Sequence, residues 1–385
     1  MYPAVAIAEA LRRRWPGVRL VFAGIRGRAE EKIVPALGYE LRFVPATGMP
    51  PLHDVVGMAR FAWTLGAGVR AAGRILDEFV PDAVIGTGGY ASAPVLLAAV
   101  GAVFPRSREK RPATLVHEQN AVPGKLNRLV GRRVDRVAAT FPESLRFFPS
   151  SRAFHSGYPL RAQIGGIDRS DARRKLDLPR DAFVLLAFGG SLGARTINRG
   201  VAAALPALLA EPGVFVLHGT GRYSGADYDP QDDTARAVAR HALSPERLSR
   251  YRPADFLDPI GVAYAAADVV ICRAGAGTLS EVQACGLPAI IVPKKGLPGD
   301  HQTANAKSLE TSGAAKVVPE RDEDDPTLGR IAAIDPQALA RTVLDLRRDE
   351  AARSAMGATI RGLHVPGAAE RIVEEIEGLL GGVRP

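Results

Sequence analysis

Hydrophobic positions along the chain gather into short apolar runs, each ended by glycine or polar residues and separated by stretches of helical spacing. Arg19–Phe22, Ala83–Ile85, Thr114–Val116 and Val134–Ala138 predict one series of strands. Phe183–Phe188, Val214–Leu217, Val269–Ile271 and Ala289–Val292 predict a second. Apolar residues recur at helical spacing between them, as in Asn198–Leu209 and Thr278–Cys285. Strand, short loop and helix repeated in this way predict parallel sheets with crossover helices. A polar stretch from Arg161 to Arg180 separates the two series, with the natural break at Arg161–Lys175. The expected class is α/β: two doubly wound, Rossmann-like parallel-sheet domains, residues 1–161 and 162–364, facing a cleft. In residues 365–385 the segment Gly367–Leu380 has helical spacing and is expected to pack back on the first domain.

Composition narrows the class. Ala83–Pro105 carries no charge, but Gly86, Gly88, Gly89, Pro94 and Gly101 interrupt it. It reads as a buried strand, a glycine turn and a buried helix rather than a membrane span. Two cysteines, Cys272 and Cys285, make neither a disulfide framework nor a zinc cluster and fit a reducing compartment. Met1–Leu11 has no basic region ahead of its apolar residues and does not read as a secretory signal. Residues 1–161 hold 23 Lys and Arg against 12 Asp and Glu, a balance of +11, while the remainder is at −2. A basic first domain suits an anionic lipid surface or pyrophosphates. No nucleic-acid motif accompanies the charge, so nucleic acid is not an expected partner.

Three glycine loops each follow a strand and open a helix: Gly86–Ser92, Gly189–Ala194 and Arg273–Glu281. Glycine lets the backbone approach a ligand, and the N–H groups opening the next helix attract anions, so phosphate or pyrophosphate is the inferred ligand. No G-x-x-x-x-G-K-[ST] occurs, and the third loop has Ser280 where the dinucleotide fingerprint needs its third glycine. Glu281 there is either an acceptor for ribose hydroxyls or a helix-start carboxylate favoured by the macrodipole. His117-Glu118-Gln119-Asn120 follows a buried strand, where polar residues are costly unless they serve a site or are fully hydrogen-bonded. Gln302 follows Asp300, a candidate helix cap, and suits a sugar hydroxyl. The acidic run Asp322–Asp325 reads as a solvated loop, and no metal site is expected.

Taken together, PDAVIGTGGYASAP, HEQNAVPGKLN, GYPLR, FGGSLGARTIN, CRAGAGTLSE and GDHQTANA resemble the MurG family of bacterial N-acetylglucosaminyltransferases. The resemblance covers nearly the whole chain. It implies the GT-B fold, with an N-terminal acceptor and membrane-facing domain (1–161), a C-terminal UDP-sugar domain (162–364) and a terminal helix (365–385). It implies inverting transfer of GlcNAc from UDP-GlcNAc to lipid I (undecaprenyl-pyrophosphoryl-MurNAc-pentapeptide), forming lipid II in peptidoglycan synthesis, at the cytoplasmic membrane face and without a cofactor. By motif, Asn120, Arg161, Ser191, Leu257, Ala276, Gly277, Thr278, Leu279, Ser280, Glu281 and Gln302 are expected to bind substrate. Leu257 lies at the uracil and Glu281 at the ribose, while His117 and Glu118 are the catalytic candidates facing the acceptor. Arg60, Arg70, Arg74 and Arg106–Arg111 fit an anionic membrane surface, with Phe61 and Trp63 either dipping into it or packing in the core.

In this family a first strand and a G-G-T-G-G-H loop, whose histidine is the leading candidate base, precede the segment that here begins at Tyr2. The expectation is a misassigned start at Met1. Two alternatives stand beside the transferase: a related UDP-sugar enzyme (lipid glucosyltransferase or epimerase) and a non-catalytic UDP-sugar-binding protein.

Overall fold

The computed structural model describes all residues except 52, 102–110, 162–163, 224, 226–227, 297–299, 326–328 and 382–385. It divides into two units, Met1–Arg161 with Val365–Pro385, and Ala162–His364.

The first unit holds strands β1 (Val21–Gly24), β2 (Glu40–Phe43), β3 (Ala83–Gly86), β4 (Ala113–Glu118), β5 (Arg136–Ala139) and β6 (Ala153–His155). All pairings are parallel, but they form two sheets, β1-β2 and β3-β4-β5-β6. A cavity of about 420 Å³ lies between β1 and β3, lined by apolar side chains that include Ile7, Leu11, Phe22, Ile85, Leu96 and Ile376. Consequently Val21, Phe22, Ala23, Ala83 and Ile85 stay only partly buried. Each of these two strands has a neighbour on one side only.

Two helices close one face of this region. Helix Tyr2–Arg14 and the terminal helix Ala368–Leu379 bury Ile7, Leu11 and Trp15 against Ile372, Val373 and Ile376. Each fully buried aliphatic side chain contributes about 1.5–3 kcal/mol. The Arg13–Glu370 and Arg14–Glu377 ion pairs, at 2.7 and 2.8 Å, flank the seam but are largely exposed and add little.

The second unit carries one six-stranded parallel sheet, built from β7 (Phe183–Phe188), β8 (Val214–Gly219), β9 (Tyr251–Ala254), β10 (Val269–Cys272), β11 (Ala289–Ile291) and β12 (Ala315–Val317). Helices cover both faces, so β7 is buried at every residue and reads as an unbroken apolar run. Helix Arg195–Leu208 buries Ile197, Val201, Leu205 and Leu208 along one stripe. The strand order is β12-β11-β10-β7-β8-β9. The chain builds outward from β7 through β9, then returns to lay β10 against the other side of β7. That reversal is the topological switch point of a doubly wound sheet. A hairpin of β13 (Arg321–Asp325) and β14 (Gly329–Ala333) follows.

The expected doubly wound architecture is present in both units, with the first sheet in two pieces. Ala83–Ala99 resolves into β3, a glycine turn and helix Ser92–Ala99, and no described helix is long and apolar enough to cross a membrane. The first strand lies at Val21–Gly24 rather than Arg19–Phe22, because Arg19 and Leu20 complete the approach from Trp15. The acidic run is not a loop: it forms β13, where Asp322 pairs with Lys295 and Arg330 at 3.0 Å each.

From its divided sheet, the first unit is expected to be the less stable one. Both tryptophans, Trp15 and Trp63, belong to it, and only Trp15 is buried. In urea, tryptophan fluorescence should report a midpoint about 0.5–1 M below that of far-ultraviolet circular dichroism, which averages both units. Coincident transitions would contradict this order.

Candidate functional site

Loops leave the switch point in two directions. After β7, Gly189–Ala194 turns into helix Arg195–Leu208 under tight constraint: a Cβ on Gly189 would stand 2.3 Å from Ala194, and one on Gly193 would stand 2.0 Å from the Thr220 carbonyl oxygen. The loops after β7, β8 and β9 are laced by backbone hydrogen bonds. Arg222 N–H donates to Ser191 at 2.9 Å, Thr220 to Ala254 at 2.8 Å and Gly221 to Asp255 at 2.9 Å. Ser191 is exposed at the tip of the first loop. Leu257 is half-buried, its side chain lying over Gly219.

A buried polar chain supports these loops from below. The Tyr251 hydroxyl lies 2.9 Å from His218 Nδ1, His218 Nε2 lies 3.2 Å from Asn198 Oδ1, and Asn198 Nδ2 donates to the Thr220 carbonyl at 2.8 Å. The consistent assignment has Tyr251 donating to Nδ1 and a neutral ring donating from Nε2. Burial pushes the His218 imidazole down to about 4, so it stays neutral near pH 7, and burial also raises the Tyr251 phenol.

On the other side of the switch point, β10 ends in Arg273-Ala274-Gly275 and opens helix Ala276–Cys285. Gly275 occupies the N-cap position and no side chain caps the helix. The N–H groups of Ala276, Gly277 and Thr278 therefore open the helix with its positive dipole end, an anion site by construction. Leu279 and Ser280 turn inward, and Ser280 Oγ is buried without a hydrogen-bond partner. Glu281 is half-buried and accepts a 2.9 Å hydrogen bond from the Tyr264 hydroxyl. Tyr264, almost fully buried, thereby fixes that carboxylate; burial first, then the Glu281 charge, raises its own ionisation well above the usual phenol value.

Helix His301–Thr311 borders the same loop. Asn305 Nδ2 donates to the Ala274 carbonyl at 3.0 Å, and Gln302 Oε1 accepts from Lys294 N–H at 2.9 Å. With Oε1 held by backbone, the Gln302 amide is oriented and its Nε2 is a donor. Asp300 stands at the N-cap position with left-handed φ of 48°, and accepts from the Thr303 hydroxyl at 2.7 Å instead of capping a backbone N–H.

In the first unit, β4 runs two residues past its expected end, so His117 and Glu118 belong to the strand. Both are buried, at 0% and 1% exposure. His117 Nε2 lies 3.1 Å from the Gly157 carbonyl and 3.2 Å from Thr140 Oγ1; the carbonyl can only accept, so Nε2 carries the proton. Burial pushes this imidazole down to about 4. Burial also pushes the Glu118 carboxyl up, against hydrogen bonds from Asn120 and Asn127. Asn120 N–H donates to Glu118 Oε1 at 2.9 Å, and Asn127 Nδ2 donates to Oε2 at 2.8 Å. The carboxylate thus shapes the 119–127 loop and sets Asn120. Gln119 Nε2 donates to the Thr87 carbonyl, tying this loop to the first glycine loop. Arg161 stacks over the Tyr2 ring at 4.3 Å.

Supporting residues that escaped the sequence reading include Asn127, Tyr264 and the Tyr251–His218–Asn198 chain. Asn127 carries a signal, since it lies within the HEQNAVPGKLN segment. Tyr264 carries none: an aromatic in an apolar helix looks like core.

Comparison with known proteins follows the same outline. Residues 1–139 match the glycosyltransferase family 28 N-terminal domain and residues 184–372 its C-terminal domain. The UDP-N-acetylglucosamine–N-acetylmuramyl-(pentapeptide) pyrophosphoryl-undecaprenol N-acetylglucosamine transferase of Desulforudis audaxviator is 36% identical over 382 residues, covering 99% of this chain and 95% of that protein. Its namesake from Salinibacter ruber is 37% identical over 380 residues, covering 98% and 93%. The crystal structure of Acinetobacter baumannii MurG superposes with a TM-score of 0.69 at 25% identity, covering 98% and 95%.

The two buried histidines set an acid limit. Each folded pKa, about 4, lies below the unfolded value near 6.5, so the unfolded chain binds more protons in that window. Stability is therefore lost as pH falls from about 6.5 to 4, by about 3 kcal/mol per histidine at most. Glu118 runs oppositely: its raised carboxyl gives stability that is lost as pH rises through its folded pKa. Urea midpoints at pH 4.5 and 7 should differ less in His218→Gln than in the parent, even though the variant starts less stable. An unchanged slope would remove His218 from the account.

Proposed function

The chain belongs to glycosyltransferase family 28, among the MurG transferases, and from that premise we propose that it transfers N-acetylglucosamine from UDP-N-acetylglucosamine to lipid I, forming lipid II for peptidoglycan. The observation that carries the reading is the uncapped N-terminus of helix Ala276–Cys285 at the switch point, with the Glu281 carboxylate held beside it by Tyr264. A helix opening suits a pyrophosphate and a fixed acceptor suits ribose hydroxyls, so the pair reads as a nucleoside diphosphate site.

In this reading a general base takes the proton of the acceptor hydroxyl, and the hydroxyl oxygen attacks the anomeric carbon from the face opposite UDP. The carbon–oxygen bond to UDP breaks, the electron pair leaves with the diphosphate, and the sugar inverts. The N–H groups of Ala276, Gly277 and Thr278 stabilise the charge that develops on UDP. Leu257 lies at the uracil, Ser191 near the phosphates and Gln302 at the sugar; in the first unit, Asn120 and Arg161 are the substrate-binding residues. His117 and Glu118, buried and hydrogen-bonded, serve as positioning residues for Asn120 and the Gly157 turn. A lipid glucosyltransferase, an epimerase and a non-catalytic binding protein are not favoured, because relatives matched over 98–99% of the chain carry the transferase name.

The first unit also offers a surface for a peripheral, membrane-bound enzyme at the cytoplasmic face. Helix Val55–Phe79 exposes Val55, Val56 and Trp63 at 76%, 71% and 82%, with Arg60, Arg70 and Arg74 exposed on the same helix. Phe61 is buried and belongs to the core. Of the 106–111 segment, residues 106–110 lie outside the described residues, and Arg111 pairs with Asp135 at 2.5 Å. An aromatic edge among arginines fits anionic headgroups.

UDP release from UDP-N-acetylglucosamine with a lipid I analogue tests the activity. Turnover with that acceptor, absent without it, is expected; binding of the donor with no turnover would turn the reading to a binding protein. Glu281→Gln should raise KM for the donor about tenfold, the loss of one charge-assisted hydrogen bond. Trp63→Ser should weaken binding to phosphatidylglycerol vesicles several-fold and leave turnover of a water-soluble acceptor unchanged. Equal vesicle binding would remove this helix from the membrane surface.

A further inference from the structure

We propose that Glu320 is a positioning residue that holds the sugar-binding and diphosphate-binding loops of the second unit in register, and so determines how much the sugar adds to donor affinity. The proposal rests on the donor-site reading above. Glu320 lies just beyond β12, and its side chain is only 2% exposed. Its Oε1 stands 2.7 Å from Arg273 Nη1, and its Oε2 accepts the Lys295 N–H at 2.8 Å. Arg273 is the first residue after β10, and its Nη1 also donates to the Val292 carbonyl, just beyond β11, at 3.1 Å. One carboxylate from the end of β12 therefore grips the segments that follow both β10 and β11.

What those segments carry gives the grip its function. Arg273 leads directly into the helix opening at Ala276. Lys295 adjoins Lys294, whose N–H orients the Gln302 amide. Across the switch point, the loops after β7, β8 and β9 are laced by backbone hydrogen bonds that do not depend on side-chain identity. On this side the corresponding lacing runs through side chains, with a buried ion pair at its centre. A buried carboxylate and guanidinium hold their geometry because neither can be solvated elsewhere at low cost. Neutralising the carboxylate keeps the side chain's shape and its acceptor for Lys295, but leaves the Arg273 charge without its partner.

The expected signature separates positioning from general damage. UDP alone engages the uracil, ribose and diphosphate positions, whereas UDP-N-acetylglucosamine adds the sugar at Gln302. Calorimetric binding of both ligands to the full-length chain should show that Glu320→Gln and Glu320→Asp keep UDP affinity within about threefold. Both should lose about tenfold of the preference for UDP-N-acetylglucosamine over UDP, comparable to one buried hydrogen-bonding contact. Gln302→Ala should lose the same preference, and the Glu320→Gln/Gln302→Ala double variant should lose no more than either single variant, the mark of coupled residues. If Glu320→Gln does not fold, Glu320→Asp, which keeps the charge, carries the test. A preserved preference in the folded variant, or additive losses in the double variant, would overturn the proposal. A parent chain that binds neither ligand would instead sink the donor-site reading, and the two failures are thereby distinguished.

Discussion

The arrangement of the second unit depends on one constraint: β10 must return to pair with β7 rather than extend the sheet past β9. Strands on the two sides of that junction send their chains away in opposite directions, and the backbone groups at their carboxyl ends cannot all be met by sheet partners. The helix that opens at Ala276 to Thr278, uncapped by any side chain, starts at this junction. The Gly193 and Thr220–Gly221 backbones come into near contact, which would leave no room for a Cβ. An anion-attracting helix opening needs no special loop sequence beyond small residues here, because the topology has already placed it at the junction.

Polar residues are buried immediately beneath these loops, and the physics of that burial explains how the loops are held. An unpaired polar group in an apolar interior costs more than a typical hydrogen bond contributes, so such groups generally find a partner within reach, Ser280 Oγ and His117 Nδ1 being exceptions among the described residues. His218 finds Asn198 and Tyr251, Glu118 finds Asn120 and Asn127, and Glu320 finds Arg273 and Lys295. Except for Tyr251, which opens β9, these partners lie in or beside a loop at the carboxyl end of a strand. The same requirement that makes a buried carboxylate or imidazole tolerable also fixes a loop. The two units thus use one device, although in the first it sets Asn120 and in the second it sets the segments that follow β10 and β11.

How far the sequence could be read depended on whether a feature was local. β7 was legible to the residue, because a strand covered on both faces must be apolar throughout. Helix Ala276–Cys285 was placed within two residues by its glycines. Boundaries slipped where polar residues continue a strand: His117 and Glu118 look like loop residues, yet they extend β4 because β5 pairs with them. The Asp322–Asp325 run misled in the same way, since opposing Arg330 and Lys295 make an acidic edge strand tolerable. Contacts between residues far apart in sequence had no local sign. Tyr264 reaches Glu281 across 17 positions, and Glu320 reaches Arg273 from two strands away.

The first unit shows what the same architecture does when its sheet is interrupted. In a continuous parallel sheet the strands share both faces with helices and both edges with neighbours, and burial is complete, as in β7. β1 and β3 each lack one neighbour, and the side chains around the cavity between them are left half-covered. The helices on this region consequently have less strand surface to pack upon, and the apolar seam between helices Tyr2–Arg14 and Ala368–Leu379 must do more of the holding. That seam joins the two ends of the chain, so the terminal helix is part of the first unit's core rather than an appendage. Because it also packs on Leu115 and Ala138, in β4 and β5, loosening the seam would reach His117 and Glu118 through the strand that carries them. The geometry of Asn120 is thus tied, through β4, to contacts made by the last helix of the chain.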